Sequence, residues 1–351
     1  MRDMNKIETN NVNVFEVTPI IAPQHLKQVF PVPVGGSAFV DRSRNIIKDI
    51  LHGRDDRILA VVGPCSIHDP VAALEYAKKL KKLANKVQDK IFIIMRAYVE
   101  KPRTTIGWKG LINDPGLNGT YQISKGLGVA RQLYCDITEL ELPIASEMLD
   151  PFTPQYLSDI ISWGAIGART TESQTHREMA SGLSFPIGFK NGTDGGLKVA
   201  CDAMSASLHE HNFLGINYEG IISIVNTKGN PDVHIVLRGG NDGSNYSEKD
   251  IQETVARLSK NNLPPAIMVD CSHANSNKDH TRQGEVLNDV IAQIGKGQKS
   301  IKGVMIESFL QAGNQSIPEV LSELKYGLSV TDKCVDWETT EKMLLSAYEK
   351  L

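Results

Sequence analysis

The chain has no stretch approaching 18 uninterrupted apolar residues, so it offers no candidate transmembrane helix. Its first residues, Met1-Arg2-Asp3-Met4-Asn5-Lys6, lack the apolar core of a secretory signal. Cysteine is scarce: five among 351 residues, at 65, 135, 201, 271 and 334, an odd number with no CxxC spacing. That excludes a disulfide framework and suits reduced thiols in a cytoplasmic protein. An excess of either charge is also missing. The net charge of −3 gives no bulk basic surface for nucleic acid or an anionic membrane. There is no low-complexity tract. The 41% of hydrophobic residues suffices for a real core.

What is present is a series of eight short apolar runs, each leading to a residue that can do chemistry. Ile58–Val62 leads into Gly63-Pro64-Cys65, and Ile91–Met95 ends at Arg96. Pro143–Ser146 ends at Glu147, Ala165–Ala168 at Arg169, and Pro186–Phe189 at Lys190. His234–Leu237 ends at Arg238, Ile267–Cys271 leads to His273, and Val304–Ile306 ends at Glu307. Stretches of helical periodicity separate most of them, which reads as β/α units with parallel strands. Eight units close into a (β/α)8 TIM barrel, an α/β fold of about 250 residues whose active site lies at the C-terminal mouth of the strands.

The expected organisation is an N-terminal arm over 1–45, serving subunit contacts and regulation, and a catalytic barrel over 46–351. Val12–Ala22 is β-branched and reads as an extended arm or edge strand. Asp69-Pro70 starts one helix, with Leu74, Ala77, Leu80, Ala84 and Val87 on its apolar face. Thr153-Pro154 starts another, with Gly164 as its stop, and Asp336 caps the last. Two segments break the alternation. The connection from Ala97 to about Gly119 is long enough to be functional. Phe213–Thr227 reads as a β-hairpin inserted before strand six, which a barrel does not require.

Arg96, Arg169, Lys190 and Arg238 all end strands, and Lys101 and Arg103 follow closely. Two like charges about 6 Å apart repel by roughly 3 kcal/mol at an effective dielectric near 20. Several such pairs at one mouth point to an anionic substrate carrying phosphate and carboxylate. Cys65, His273 and Glu307 end strands one, seven and eight, which become neighbours on closure, and Asp332 follows soon after. A thiolate, an imidazole and two carboxylates suit one divalent transition metal (Mn, Fe, Co or Zn) acting as a Lewis acid. A rival chemistry is an imine at Lys190. Cys334, two residues beyond Asp332, is expected near Cys65, so that metal loss in air joins the two thiols.

The motifs Gly63-Pro64-Cys65-Ser66-Ile67-His68, Lys101-Pro102-Arg103-Thr104, Gly167-Ala168-Arg169-Thr170-Thr171-Glu172-Ser173 and Gly188-Phe189-Lys190-Asn191-Gly192-Thr193 occur in this order. Leu237-Arg238-Gly239-Gly240, Asp270-Cys271-Ser272-His273-Ala274-Asn275 and Met305-Ile306-Glu307-Ser308 follow. From about Asp41 to Leu351 the chain resembles 3-deoxy-D-arabino-heptulosonate 7-phosphate (DAHP) synthases, in particular the type I, feedback-regulated bacterial branch. The resemblance implies condensation of phosphoenolpyruvate with erythrose 4-phosphate and release of phosphate, the first step of the shikimate pathway. It implies Cys65, His273, Glu307 and Asp332 as metal ligands. Arg169, Arg238 and the Ala168 amide would cradle the phosphoenolpyruvate phosphate. Arg96, Lys101 and Lys190 would contact its carboxylate, and Arg103 and Thr104 the erythrose phosphate. Lys101 would be a proton donor, and Glu147 would place a water by the enol carbon.

The hairpin resembles the branch's amino-acid feedback site, with Pro154, Gln155, Met179, Leu183, Ser184, Phe213 and Val225 as lining. The implied effector is phenylalanine or tyrosine. Ile224–Thr227 is more similar to the phenylalanine-sensitive type, which is placed first, and Met268–Lys278 to the tyrosine-sensitive type. The arm resembles a segment that joins subunits, implying a homodimer or homotetramer. A related synthase using arabinose 5-phosphate and a non-catalytic sensing barrel are the alternative readings.

Overall fold

The computed structural model describes residues 9–351; the first eight residues of the expected arm lie outside the described residues. Eight parallel strands form a closed ring. In chain order the strands are β1 (Ile58–Gly63), β2 (Ile91–Arg96), β3 (Ile144–Glu147), β4 (Trp163–Ile166) and β5 (Ile187–Lys190). An antiparallel pair follows, β6 (Asn212–Ile216) and β7 (Ile222–Asn226), and then β8 (Val233–Leu237), β9 (Ile267–Asp270) and β10 (Ile301–Glu307). The ring runs β1-β10-β9-β8-β5-β4-β3-β2, and β6-β7 stand apart from it as the expected hairpin.

Ten α-helices accompany the strands among the described residues. They are α1 (Pro23–Val29), α2 (Gly36–Leu51), α3 (Pro70–Val87), α4 (Ile123–Glu139) and α5 (Thr153–Leu157), then α6 (Gln174–Ser181), α7 (Lys198–Ser207), α8 (Glu248–Lys260), α9 (Gln283–Gly295) and α10 (Trp337–Lys350). The starts are where the sequence places them. Asp69 caps α3 by accepting from the Val71 and Ala72 amides, with Pro70 in the first turn, and Asp336 caps α10 by accepting from the Thr339 amide.

Strand parity divides the core in two. Leu59, Val61, Ile94, Ala145, Trp163, Ala165, Val236, Met268 and Met305 fill the ring's interior. Their strand neighbours, such as Ala60, Val62, Ile93 and Met95, pack outward against the helices. Ile47, Ile50 and Leu51 of α2 belong to the interior cluster, so this helix closes the ring from below. It also carries the chain without interruption through residues 45 and 46.

Two expectations are corrected. Gly164 does not end a helix. The helix from Thr153 stops at Leu157, and Gly164 lies within β4, where a Cβ would sit 2.6 Å from both Ile187 and Phe185. Glycine there serves close packing between strands. Of the two readings of residues 12–22, the edge strand does not form; the segment is an extended, mostly exposed arm.

Candidate active site

Arg96, Glu147, Lys190, Asp270 and Glu307 are each the last residue of a strand and share the inward phase, so the fold delivers them to one mouth. Four of the five are tied into pairs there. The Arg96 Nη2 donates to Glu307 Oε1 at 3.0 Å, and Lys190 Nζ donates to Asp270 Oδ2 at 2.8 Å. All are almost fully buried, and Gly63 lets β1 press close, since a Cβ there would lie 2.4 Å from the Arg96 carbonyl oxygen.

Cys65, Glu307 and Asp332 bring three ligand atoms within 4.8 Å of one another. The Cys65 Sγ lies 3.3 Å from Asp332 Oδ2 and 2.8 Å from Lys101 Nζ. The fourth expected ligand, His273, stands at the edge of this cluster with Nε2 4.0 Å from Glu307 Oε1. Its Nδ1 is engaged by Asp270 at 3.0 Å, which leaves Nε2 as the free nitrogen. The donor set fits a borderline divalent metal: sulfur, nitrogen and carboxylate oxygen, with an imidazole already oriented. Burial, then Glu307, pushes the Cys65 thiol up to about 11, so a metal held there would have to displace its proton. Burial alone would raise Asp332, but Lys101 and then His273 hold it down at about 2. Cys334 is buried beside this site, its Sγ 3.7 Å from the Asp332 carbonyl oxygen, and all five cysteines are free.

The cations divide into two groups, which refines the expectation of mutual repulsion. Arg96, Lys190 and Lys101 each have a local counter-charge, the last at 3.8 Å from Asp332. Arg96 is nearly saturated, since it also donates to the Pro64 and Cys65 carbonyl oxygens and to Met305 Sδ and lies over the Tyr98 ring. Arg169, Arg238 and Arg103 make no ion pair among the described residues. Burial lowers Arg238, Asp270 opposes the shift, and the charge of Arg169 pushes it further down. Ala168 lies in the turn that follows β4, where Gly167 O accepts from the Thr170 and Thr171 amides. Arg169 Nε also donates to Thr104 Oγ1 at 2.9 Å, joining the long connection to the end of β4. The exposed tip that carries Arg103 and Thr104 is folded back by a bond from Arg103 Nε to the Trp108 carbonyl oxygen.

A cavity of about 320 Å³ opens at this mouth, lined by Arg169, His273, Glu307 and Asp332 together with Lys278, His280 and Lys333. A larger groove of about 640 Å³ between α3 and α4 contains none of the mouth's groups. Sequence reasoning missed Asp270, Lys278 and His280. Strand parity could have found Asp270, two residues after the inward Met268. Lys278 belongs to a segment whose three residues His273, Asn277 and Lys278 all have positive φ, between 54° and 60°, which no local pattern announces.

Glu100 lies beside the site and is 4% exposed. Burial, reinforced by Asp150, pushes its carboxyl up to about 8 from an ordinary 4.5. The folded chain therefore keeps this proton where the unfolded chain releases it. The stabilising contribution is complete below about pH 4.5 and is lost as the pH rises through about 8. The slope is about 1.4 kcal/mol per pH unit. Glu100→Gln is expected to remove that slope from urea unfolding measured at intervals across the window; an unaltered slope would contradict the assignment.

The residues expected around the hairpin are spread over three elements. Met179 is buried on α6, Leu183 and Ser184 follow that helix, and Phe213 and Val225 pair across β6-β7. Thr227 ties the hairpin to the end of α6 through a 2.7 Å bond to Ser181 Oγ. Pro154 and Gln155 lie on α5, linked to the hairpin tip through the arm: Tyr156 OH donates to the Ile21 carbonyl oxygen, and the Gln24 amide to that of Tyr218.

Residues 28–345 match the family model of the DAHP synthetase I family. The phospho-2-dehydro-3-deoxyheptonate aldolase of Salmonella typhimurium, named Tyr-sensitive, is 52% identical over 348 residues, covering 99% of this chain and 98% of the relative. The phenylalanine-inhibited aldolase of Saccharomyces cerevisiae is 50% identical over 348 residues, 97% and 93% of the two chains. The solved phospho-2-dehydro-3-deoxyheptonate aldolase of Francisella tularensis superimposes with a TM-score of 0.94 at 51% identity, covering 96% of this chain and 98% of that one. The chain belongs to the DAHP synthetase I family and is an enzyme of the aldolase type its relatives are named for.

Proposed function

We propose that this chain condenses phosphoenolpyruvate with erythrose 4-phosphate and water to give DAHP and phosphate, under inhibition by an aromatic amino acid. The observation that carries the reading is a cavity at the strand ends lined by Arg169, which makes no ion pair among the described residues, together with His273, Glu307 and Asp332, the last two belonging to the Cys/Glu/Asp cluster. A divalent metal (Mn, Fe, Co or Zn) held by Cys65, His273, Glu307 and Asp332 would supply Lewis-acid polarisation of an aldehyde oxygen. Arg169, Arg238 and the Ala168 amide bind the phosphate that leaves. Lys101, Lys190 and the one N–H left on Arg96 Nη1 receive the carboxylate, and Arg103 and Thr104 hold the phosphate of the aldehyde substrate. This cationic cradle stabilises the charge that develops as the carbon–carbon bond forms. Lys101, buried and already donating, passes a proton to the new alkoxide. An imine at Lys190 is not favoured, because its nitrogen is engaged by Asp270.

Glu147 is assigned the water that adds at the carbon bearing the phosphate. Its Oε1 is buried without a hydrogen-bond partner among the described residues, and Gly167 leaves it room. Glu147→Gln is expected to slow turnover by about 10²–10⁴-fold with metal content unchanged; unaltered turnover would remove Glu147 from the mechanism.

For regulation we assign the hairpin, α6 and α5 as the effector site and the arm as the link between subunits of a homodimer or homotetramer. Exposed apolar residues support the latter: Leu214, Ile222 and Ile224 on the hairpin's outer face, and Phe15 and Val17 on the arm. The buried free thiols suit a reducing cytoplasm, and no described helix is long and apolar enough to cross a membrane. The test is the initial rate with both substrates in excess Mn²⁺, repeated with phenylalanine, tyrosine and tryptophan separately. Inhibition by phenylalanine is expected. Inhibition by tyrosine alone would reassign the effector, and no inhibition would leave the hairpin a packing element only.

A further inference from the structure

The Asp270 carboxylate is fully buried at the end of β9 and accepts four contacts. Its Oδ1 takes the Ser272 amide at 3.0 Å and the Ser272 hydroxyl at 2.6 Å. Its Oδ2 takes Lys190 Nζ at 2.8 Å and lies 3.0 Å from His273 Nδ1. A carboxylate has about four acceptor positions, so Asp270 has none left for a metal or a substrate. The Ser272 hydroxyl, spent on Asp270, also lies 2.7 Å from His273 Nδ1 and presents it with an acceptor lone pair. Both neighbours of Nδ1 are thus acceptors, which places the ring proton there and leaves Nε2 with its lone pair toward Glu307.

We propose that Asp270 is a positioning residue that orders the two halves of the mouth at once: it fixes the tautomer and direction of His273 on the metal side and the ammonium of Lys190 on the anion side. The inference rests on the reading of His273 as a metal ligand and of Lys190 as a carboxylate contact. Its distinguishing consequence is that one uncharged substitution damages metal affinity and substrate binding together. Asparagine at 270 accepts on one atom only and turns an N–H₂ group toward a donor.

The test uses Co²⁺ as the metal, read by its thiolate charge-transfer absorption with Cys65 and without any substrate. Asp270→Asn is expected to weaken Co²⁺ binding about 10–100-fold. With Co²⁺ then saturating, the KM for phosphoenolpyruvate is expected to rise at least several-fold, more than kcat falls. A folded variant that binds Co²⁺ within twofold of the native chain, or keeps its KM, overturns the proposal. If Asp270→Asn does not fold, Ser272→Ala carries the test, because it removes only the hydroxyl bridge. A few-fold loss of Co²⁺ affinity then supports the proposal, and an unchanged affinity overturns it. Absence of the absorption band in the native chain would instead overturn the metal reading itself, and the inference would fall with it.

Discussion

Replacing Cys65 with alanine is expected to lower turnover by about 10³-fold or more, the equivalent of the several kcal/mol a Lewis acid supplies. The thiol is completely buried, and its sulfur is the only soft donor within the Cys/Glu/Asp cluster. Its loss leaves two carboxylates and an imidazole, three donors in place of four, a set that holds a divalent metal less tightly. Alanine deletes a single atom from a packed site, so the chain should still fold. The measurement is the steady-state rate in saturating Mn²⁺ beside metal content after dialysis. A variant within tenfold of the native rate would remove Cys65 from the ligand set.

Arg96→Leu is expected to cost about 3–5 kcal/mol of stability, the usual consequence of leaving one member of a buried pair alone. The uncompensated group is Glu307, which is 2% exposed. The Pro64 and Cys65 carbonyl oxygens would lose their donor as well. Urea unfolding should show the loss, and Glu307→Gln in the same chain should restore part of it, since a neutral amide is cheaper to bury than a carboxylate. A loss below about 1 kcal/mol would mean that solvent reaches Glu307 and relieves it. Arg96 thus has a structural role that a reading of convergent cations did not assign. Of its five N–H groups, four are already used inside the protein.

The barrel and most of its mouth were legible because two independent patterns coincide. Each apolar run marks a strand, and the residue closing the run is displayed where strands end. Arg96, Glu147, Lys190 and Glu307 were found this way and do end β2, β3, β5 and β10. Asp270 was not, since it sits between apolar Val269 and Cys271 and so reads as an interruption of the run rather than its end. The pairing of cations with Glu307 and Asp270 was equally hidden, because it joins residues 211 and 80 positions apart. Gly164 misled because a glycine that ends a helix and one that permits strands to touch look alike in a sequence. The edge-strand alternative for residues 12–22 did not form, because β-branched composition does not by itself supply a partner strand.

The ring closes by pairing β1 with β10, so Val62 waits for Ile306 and Gly63 for Glu307. At ribosomal rates of about 5–20 residues per second, the open side of β1 remains without its partner for roughly 12–50 s. Throughout that interval α2, made first, has only part of an interior to cover. The Cys/Glu/Asp cluster is divided by the same seam, with Cys65 on the early side and Glu307 and Asp332 on the late side. A nascent chain is therefore unable to assemble the full donor set on its early strands. On the proposed assignment of Cys65, Glu307 and Asp332 to a metal, a product truncated before Glu307 emerges without a complete site.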